Sequence, residues 1–240
     1  MRALGIDLAS APKKTAGCLL DWSDGSGVVI DLREPLDDDL AVDLARGADL
    51  IAIDAPFGWP TRFVDAVRSH EQGRVWPDVT GHTLNHRRTD EYVWRCVGWW
   101  PLSVSSDRIA IVAFRAALLH GLLRPRTPLV QDGSDGVLEV YPAAALHRWG
   151  LPHQKYKGVE GRGQRVRIVE EGLPTIARVD LAGREAELIE SDNRLDALIA
   201  ALVAVAKHLG RVEPPPPEYS DAAQTEGWIW LPIGGPLSAP

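Results

Sequence analysis

The residues that most constrain the fold are Leu50 to Pro60, LIAIDAPFGWP, where four apolar residues lead directly into an acid and a Pro-Gly turn. A short apolar run of this kind is typical of a strand buried on both faces in a parallel sheet. Asp54 stands where that strand leaves the sheet. Near the N-terminus, ALGIDLA repeats the pattern with Asp7. Two acids at strand ends suggest a metal site, although each acid alone could simply cap a turn.

The predicted order of elements brings these two acids together. Short polar connectors predict an antiparallel meander of three strands, over residues 3–8, 15–22 and 28–32. Asp37 to Arg46 has the charge pattern of a helix, and strand 50–54 follows it at once. A helix between strands implies a crossover, which makes strand 50–54 parallel to the first strand. If those strands are neighbours, Asp7 and Asp54 face one crevice from strands about 4.8 Å apart.

Composition narrows the classes of protein that this chain can belong to. Its 240 residues are 45% hydrophobic, which is enough to bury the core of one globular unit. The net charge of −7 argues against a protein that coats nucleic acid by bulk attraction, so any such contact is expected at local basic loops. Two cysteines without a CxxC pair support neither a disulfide framework nor a cysteine zinc site. We expect a cytoplasmic protein without a signal peptide or a membrane anchor.

Residues 60–103 predict an insertion of helices and loops over the edge of the sheet. Within it, the sequence HRRTDEY concentrates two arginines and two acids. One interpretation is a solvated helix start capped by Thr89 or Asp90. The other is that Arg87 or Arg88 contacts a phosphate group of a substrate.

A buried acid is predicted in the second half of the chain. Residues 106–123 have helical spacing of apolar residues, a Pro-rich loop follows at 125–128, and the apolar run VLEVY then predicts a fifth strand. Glu139 lies inside that run. Because an unpaired charge is costly in a low-dielectric interior, Glu139 needs either a metal or an arginine such as Arg148 or Arg165.

The segment over residues 153–167, HQKYKGVEGRGQRVR, is the most basic part of the chain. Charge runs of this kind are usually solvated faces, but this one could also line a path for a polyanionic backbone. Tyr156 and the glycines favour a mobile substrate-binding loop. The cations that would contact the substrate include Lys155 and Lys157.

The last predicted helix carries a second unexplained acid. Leu195 to Ala206, LDALIAALVAVA, has one polar residue, Asp196, so this helix must be covered on nearly all sides. Asp192 lies one turn earlier on the same flank. Capping explains Asp192 adequately but explains Asp196 poorly, because Asp196 lies inside the helix between apolar neighbours.

Taken together, these elements resemble the RNase H-like fold, and more closely the family of predicted RNase H-like nucleases grouped as DUF429. The resemblance rests on GIDLA, AIDAPFG, RRTDE, EVYPAAAL, YKG and DNRLDALIAA, at residues 5–9, 52–58, 87–91, 139–146, 156–158 and 192–201. It implies an α/β fold with a mixed five-stranded sheet of order 3-2-1-4-5 and helices on both faces. It also implies one domain over residues 1–240, with the insertion at about 60–103 and a C-terminal arm at about 214–240.

The function that this resemblance implies is metal-dependent phosphodiester hydrolysis of DNA or RNA at a two-metal site with Mg²⁺ or Mn²⁺. Asp7 would bridge both ions, Asp54 would hold one, and Asp192 or Asp196 the other. Glu139 would be a further ligand or would orient the attacking water. The residues expected to bind phosphates are Arg87, Arg88, Lys155 and Lys157.

Two other functions remain open at this stage. The first is an interaction module that kept the fold without the chemistry. The second is an actin-like phosphotransferase or ATPase, which shares the sheet topology. That alternative requires a second similar domain and a second Gly-rich phosphate motif, and neither is visible in the sequence.

Overall fold

The structure is a computed structural model that describes residues 1–79, 81–123 and 130–237. The Pro-rich loop predicted at 125–128 lies outside these ranges. Within them, a mixed sheet has the strand order β5-β4-β1-β2-β3-β6. The strands are β1 (Arg2–Asp7), β2 (Ala16–Ser23), β3 (Ser26–Arg33), β4 (Leu50–Asp54), β5 (Val137–Glu139) and β6 (Arg178–Asp180).

The first five strands have the predicted order, and a sixth strand extends the sheet. Strands β1, β2 and β3 form the predicted antiparallel meander, while β4 is parallel to both β1 and β5. The prediction of five strands was wrong because β6 pairs in parallel with the outer edge of β3. That strand has three residues, two of them charged, and it therefore lacks the apolar pattern by which strands are recognised.

Helices cover both faces of the sheet, as predicted. Among the described residues they are α1 (Asp38–Ala45), α2 (Thr61–Glu71), α3 (Arg88–Val97), α4 (Ile109–Leu123), α5 (Pro142–Arg148), α6 (Arg162–Val166), α7 (Leu173–Ile176), α8 (Glu185–Glu190), α9 (Asp192–His208) and α10 (Ser220–Glu226). A π-helical turn, Arg167–Gly172, joins α6 to α7. Within the described ranges, no helix is both long and apolar enough to cross a membrane.

Successive side chains of β1 point to opposite faces of the sheet, and each face has its own layer of the core. Leu4 and Ile6 pack with the buried alanines of α1 and with Ala116 and Leu119 of α4. Residues of β1 on the opposite face, beginning with Ala3, pack against α9. Twelve consecutive residues of α9 are buried, so the apolar sequence of this helix is covered on all sides as predicted.

Helix α9 makes a close contact with the sheet at Gly5, in the middle of β1. A Cβ atom at Gly5 would lie 2.0 Å from the carbonyl oxygen of Ala197 and 2.3 Å from the amide nitrogen of Ala201. The absence of a side chain therefore lets the backbone of α9 rest directly on β1. Because Ala197 follows Asp196 in the chain, this contact also sets the position of the buried acid of α9.

The insertion and the C-terminal arm are joined to each other through Glu226. The insertion contains α2 and α3, and the arm contains α10. Glu226 is 5% exposed. Its carboxylate accepts hydrogen bonds from the amide of Thr61 at 2.8 Å and from the amide of Arg88 at 2.7 Å. One acid of the arm thus caps the first residues of both α2 and α3.

We predict that Gly5→Ala destabilises the protein because the new methyl group would collide with the backbone of α9. The free energy of unfolding should fall by about 3 kcal/mol, typical of severe overpacking. Thermal unfolding would show a decrease in Tm of about 6–12 °C for a chain of this size.

A matched control is Gly121→Ala in α4, because a Cβ atom there meets nothing within 4 Å. This change should stabilise the helix by about 1 kcal/mol, since alanine has the higher helix propensity. Equal Tm values for Gly5→Ala and the unmodified protein would show that α9 does not rest on β1 as described.

Candidate metal centre

Three acids meet at the carboxyl ends of the central strands. Asp7 and Asp54 are directly paired across the parallel strands β1 and β4, as the sequence predicts. Asp196 of α9 lies over them. One carboxylate oxygen from each of the three residues lies within 4.8 Å of the other two. Carboxylates this close share one binding volume.

The local sequence explains why each acid stands at this place. Asp7 and Asp54 each end a buried strand, so that their side chains emerge where β1 and β4 leave the sheet. Ser191 is the N-cap residue of α9, and its hydroxyl accepts a hydrogen bond from the amide of Arg194 at 3.2 Å. That cap fixes the start of the helix, and the contact at Gly5 then holds its second turn against β1.

Asp196 has two further partners from the YKG segment. The hydroxyl of Tyr156 donates a hydrogen bond to Oδ1 of Asp196 at 2.8 Å. The ammonium group of Lys157 forms an ion pair with Oδ2 of the same acid. Asp196 is fully buried, whereas about half of the Lys157 side chain is exposed. Lys157 therefore brings a positive charge to the acids from the solvent side.

The YKG segment is anchored, which corrects the expectation of a mobile loop. Arg165 is 2% exposed, and its guanidinium donates to the carbonyls of Tyr156 at 2.6 Å and Gly158 at 2.7 Å. It also donates to the carbonyl of Ile189 at 2.6 Å, just before α9. Arg165 thus ties the segment to the start of that helix and does not face a polyanion.

Burial and mutual repulsion raise the pKa of all three acids. Burial is the largest cause at Asp7, whose pKa lies well above its ordinary range and is raised further by the charges of Asp196 and Asp54. Burial also raises the pKa of Asp54 to about 7, against the opposing charge of Lys157. The pKa of Asp196 is raised by burial and partly restored by Lys157. One lysine does not balance three carboxylates.

This donor set fits a hard divalent cation. Mg²⁺ and Mn²⁺ prefer carboxylate oxygens, and their charge would relieve the repulsion that raises these pKa values. All three members of the group are aspartates, so the donors that they offer are carboxylate oxygens. Among the described residues, Asp7, Asp54 and Asp196 are therefore the candidates to hold a metal ion.

The two other predicted acids lie outside this trio. Asp192 is half-buried at the first position of α9 and contributes negative charge to Asp7 and Asp196 from one turn away. Glu139 is 2% exposed on β5, where it pairs with Arg87 through two hydrogen bonds of 2.6 and 2.8 Å. Its Oε2 atom also accepts from the amide of Phe57 at 3.0 Å. An arginine partner for Glu139 was predicted, but Arg148 and Arg165 were the wrong candidates.

Arg87 is the centre of a buried ion-pair network. It is 3% exposed and bonds to both Glu139 and Asp90. The Asp90 carboxylate also accepts from the amide of Arg87 at 2.8 Å and so caps α3, but this helix start is buried and not solvated as one interpretation had it. The guanidinium also donates to the carbonyl of Glu226 at 3.1 Å, so each of its three nitrogen atoms is hydrogen-bonded to protein.

A cavity of about 440 Å³ opens beside Asp54. Lys155 and Lys157 are among its lining residues, so the structure brings these two predicted cations to the acid site. Arg88 lies elsewhere, in an ion pair with Glu91 at the start of α3. The cavity wall also includes Arg108 and Tyr141.

Sequence reasoning missed the two residues that position Asp196. Tyr156 was interpreted as part of a mobile substrate-binding loop, and Arg165 as a possible partner of Glu139. The YKG motif was a usable signal for Tyr156, because a tyrosine next to a lysine can hydrogen-bond a buried carboxylate. No local pattern indicated that Arg165 is buried, since its acceptors are backbone carbonyls from distant segments.

We predict that Asp54→Asn stabilises the metal-free protein, and more so at pH 8 than at pH 5. Because folding raises the pKa of Asp54 to about 7, the ionised form of this acid destabilises the native state. The resulting decrease in the free energy of unfolding begins at about pH 4 and is complete above about pH 7. A gain of about 1–2 kcal/mol at pH 8 would raise Tm by about 2–8 °C.

Thermal unfolding with and without Mn²⁺ provides the control. The metal should raise the Tm of the unmodified protein at pH 8 and should lose most of this effect in Asp54→Asn. Asp43→Asn, which removes an acid whose side chain is 60% exposed, should change neither result. A Tm of Asp54→Asn below that of the unmodified protein at pH 8 would contradict the repulsion described above.

A second prediction concerns Arg87. Replacing it with methionine would leave Asp90 and Glu139 buried without their cation, which typically costs about 3–5 kcal/mol. Arg88→Met removes a neighbouring arginine whose side chain is 41% exposed, so it should cost no more than about 1 kcal/mol. Urea unfolding of both variants would measure the difference. Similar stabilities of the two variants would argue that Arg87 is not a structural cation.

Comparison with known protein families extends these observations. A family model described as "Protein of unknown function (DUF429)" matches residues 5–220, which is most of the chain. Neither a curated protein nor a solved structure matches the sequence. The matched range contains the three clustered acids and the YKG segment. Because the match spans so much of its length, the chain belongs to the DUF429 family.

Proposed function

We propose that this protein is a metal-dependent phosphodiesterase that cleaves nucleic acid. The observation that carries the proposal is the cluster of Asp7, Asp54 and Asp196, whose oxygens lie within 4.8 Å of one another beside an open cavity. Buried acids with raised pKa values are expensive for the fold and are typical of functional sites. The order of strands β1 to β5 is the one that the RNase H-like resemblance implies, which supports the same chemistry.

The three aspartates would hold Mg²⁺ or Mn²⁺. When bound, such cations activate a water molecule and stabilise the leaving oxygen of a phosphodiester. Asp7 would be the central ligand of this group, since its strand pairs with β4 and contacts α9. Asp192, one turn before Asp196, would add negative charge to the site from a half-buried position.

Lys155 and Lys157 would bind the phosphate groups next to the reacting bond. Both line the cavity beside Asp54, and Lys155 has the left-handed backbone conformation, with φ of 56°, that turns the chain at this point. Arg108 lines the same cavity and would add a third cation. A phosphate bound between these residues and the acids has cations on one side and carboxylates on the other.

Glu139 and Arg87 would support the acid site by holding the turn that follows β4. Glu139 holds the amide of Phe57, three residues after Asp54, and Arg87 holds Glu139. The pair therefore fixes the turn that leaves β4 and with it the direction of the Asp54 side chain. We propose that both are positioning residues, because their polar atoms are already engaged by protein groups.

Cleavage of labelled oligonucleotides in the presence of Mn²⁺ or Mg²⁺ tests this proposal. Asp7→Asn, Asp54→Asn and Asp196→Asn should each lower the rate by about 100-fold or more, since even residues that only support a metal ligand cost about 10–100-fold. Asp43→Asn should retain the full rate. Activity should increase as the pH rises towards 8, because protons compete with metal for the acids.

Three outcomes would overturn the proposal in different ways. Full metal-dependent cleavage by Asp7→Asn and Asp54→Asn would show that the reaction occurs at another site. Mn²⁺ binding by the unmodified protein without cleavage of single-stranded or double-stranded DNA or RNA would leave a metal-binding protein of another function. No Mn²⁺ binding at millimolar metal would favour an interaction module.

A further inference from the structure

A second and larger cavity lies on the other side of Arg87 from the acid site. Its volume is about 720 Å³, and it is enclosed by the start of α2, by α3 and by α10. Ligand sites of proteins typically have volumes of about 300–1,000 Å³, so this cavity is large enough for a nucleotide. Arg87 lines both cavities, which makes them neighbours along the surface.

A column of three aromatic rings forms one wall of this cavity. The rings of Trp94 and Trp100 are stacked with an interplanar angle of 9° and a centroid distance of 5.1 Å. His82 stacks on Trp100 at 18° and 4.2 Å. Trp94 nevertheless remains 41% exposed. A stack of flat rings that opens into a cavity is suited to receive another flat ring.

The wall is held in place before any ligand arrives. The carboxylate of Glu226 fixes the first residues of α2 and α3 at the base of the cavity. His86 pairs with the carbonyl of Pro101 at 3.2 Å through one ring nitrogen and with His82 at 3.0 Å through the other. These bonds orient the loops that carry His82 and Trp100. A preorganised wall loses little entropy when a ligand binds.

The charges around this cavity differ from those beside the acids. The lining residues include three arginines and three acids, so that the wall has no excess of positive charge: Arg62, Arg87, Arg88, Glu91, Asp221 and Glu226. A cavity that bound phosphate would need such an excess. Balanced donors and acceptors beside a ring stack are instead suited to the edges and the face of a nucleobase.

We infer that this cavity binds an unpaired nucleobase of a single-stranded nucleic acid whose adjacent phosphate lies at the acid site. The inference rests on the proposed function for the identity of the ligand. Bases of a duplex are stacked and paired with one another, so a base can enter the ring column only from a single strand or after it has been flipped out. The protein should accordingly prefer single strands.

Binding of labelled oligonucleotides, measured by fluorescence anisotropy in EDTA, tests this inference without cleavage. The probes are a short single strand of mixed sequence as DNA and as RNA, and the corresponding duplexes. The unmodified protein should bind at least one single strand more tightly than its duplex. Trp94→Ala should weaken that binding by about 5- to 150-fold, as expected for the loss of one stacked base.

The matched control is Trp76→Ala, since Trp76 is 42% exposed but does not line this cavity. This variant should bind as the unmodified protein does. Trp94→Phe keeps an aromatic ring and should restore most of the affinity. His82 belongs to the ring column but lies outside α3. His82→Ala should therefore also weaken binding, and this result would hold even if Trp94→Ala disturbed the helix.

The inference is overturned if Trp94→Ala and His82→Ala bind single strands as tightly as the unmodified protein, or if Trp76→Ala weakens binding equally. Preference for duplexes would also overturn it. Weakened binding by Trp94→Ala together with no cleavage of any probe would leave the base site in place and refute the nuclease proposal. If Asp7→Asn abolishes cleavage and Trp94→Ala leaves it unchanged, the nuclease proposal stands and the base site is refuted.

Discussion

Repulsion among three carboxylates is the physical constraint on which the rest of this structure depends. Oxygens of Asp7, Asp54 and Asp196 lie within 4.8 Å of one another, largely withdrawn from water. Their own interactions would separate them, since like charges at this distance repel strongly in a medium of low dielectric. The fold prevents separation by the paired register of β1 and β4 and by the contact of α9 with Gly5. The acids are thus held together by the backbone.

The ion-pair network around Arg87 contains buried acids that are both paired with an arginine, in contrast to the three clustered aspartates. Asp90 and Glu139 both receive charge-assisted hydrogen bonds from one guanidinium, and further backbone amides complete their coordination. Asp7, Asp54 and Asp196 share a single lysine that reaches them from the solvent side. Buried acids of the first kind support structure, whereas acids of the second kind are candidates to hold a further cation. The contrast separates the roles of Glu139 and Asp54 although both lie on adjacent strands.

The parts of this structure that could be predicted from the sequence are those with local signals. The apolar runs that end in Asp7 and Asp54, and the helix between them, were enough to predict two acids on neighbouring parallel strands. Asp196 was noticed because one polar residue in an apolar helix is conspicuous.

Partners distant in sequence could not be predicted in the same way. Glu139 pairs with an arginine 52 residues earlier, and several arginines satisfied the same requirement. The caps provided by Glu226 join segments more than 130 residues apart. Strand β6 has too few residues for a periodic pattern, and the close approach at Gly5 depends on a helix nearly 200 residues away. These features arise from packing, which one-dimensional patterns do not encode.

The net charge of −7 restricts how such a protein can bind a polyanion. Proteins that rely on phosphate contacts release many counterions and carry an excess of Lys and Arg on the binding face. Here the cations beside the acids are few, and those around the ring column are balanced by carboxylates. Affinity for nucleic acid would therefore come first from the stacking of a base, which needs no metal, and a bound divalent cation would add to it by holding one phosphate. Because neither contribution requires long-range attraction, an acidic surface is compatible with a nucleic-acid substrate and would favour short, unpaired segments over long duplexes.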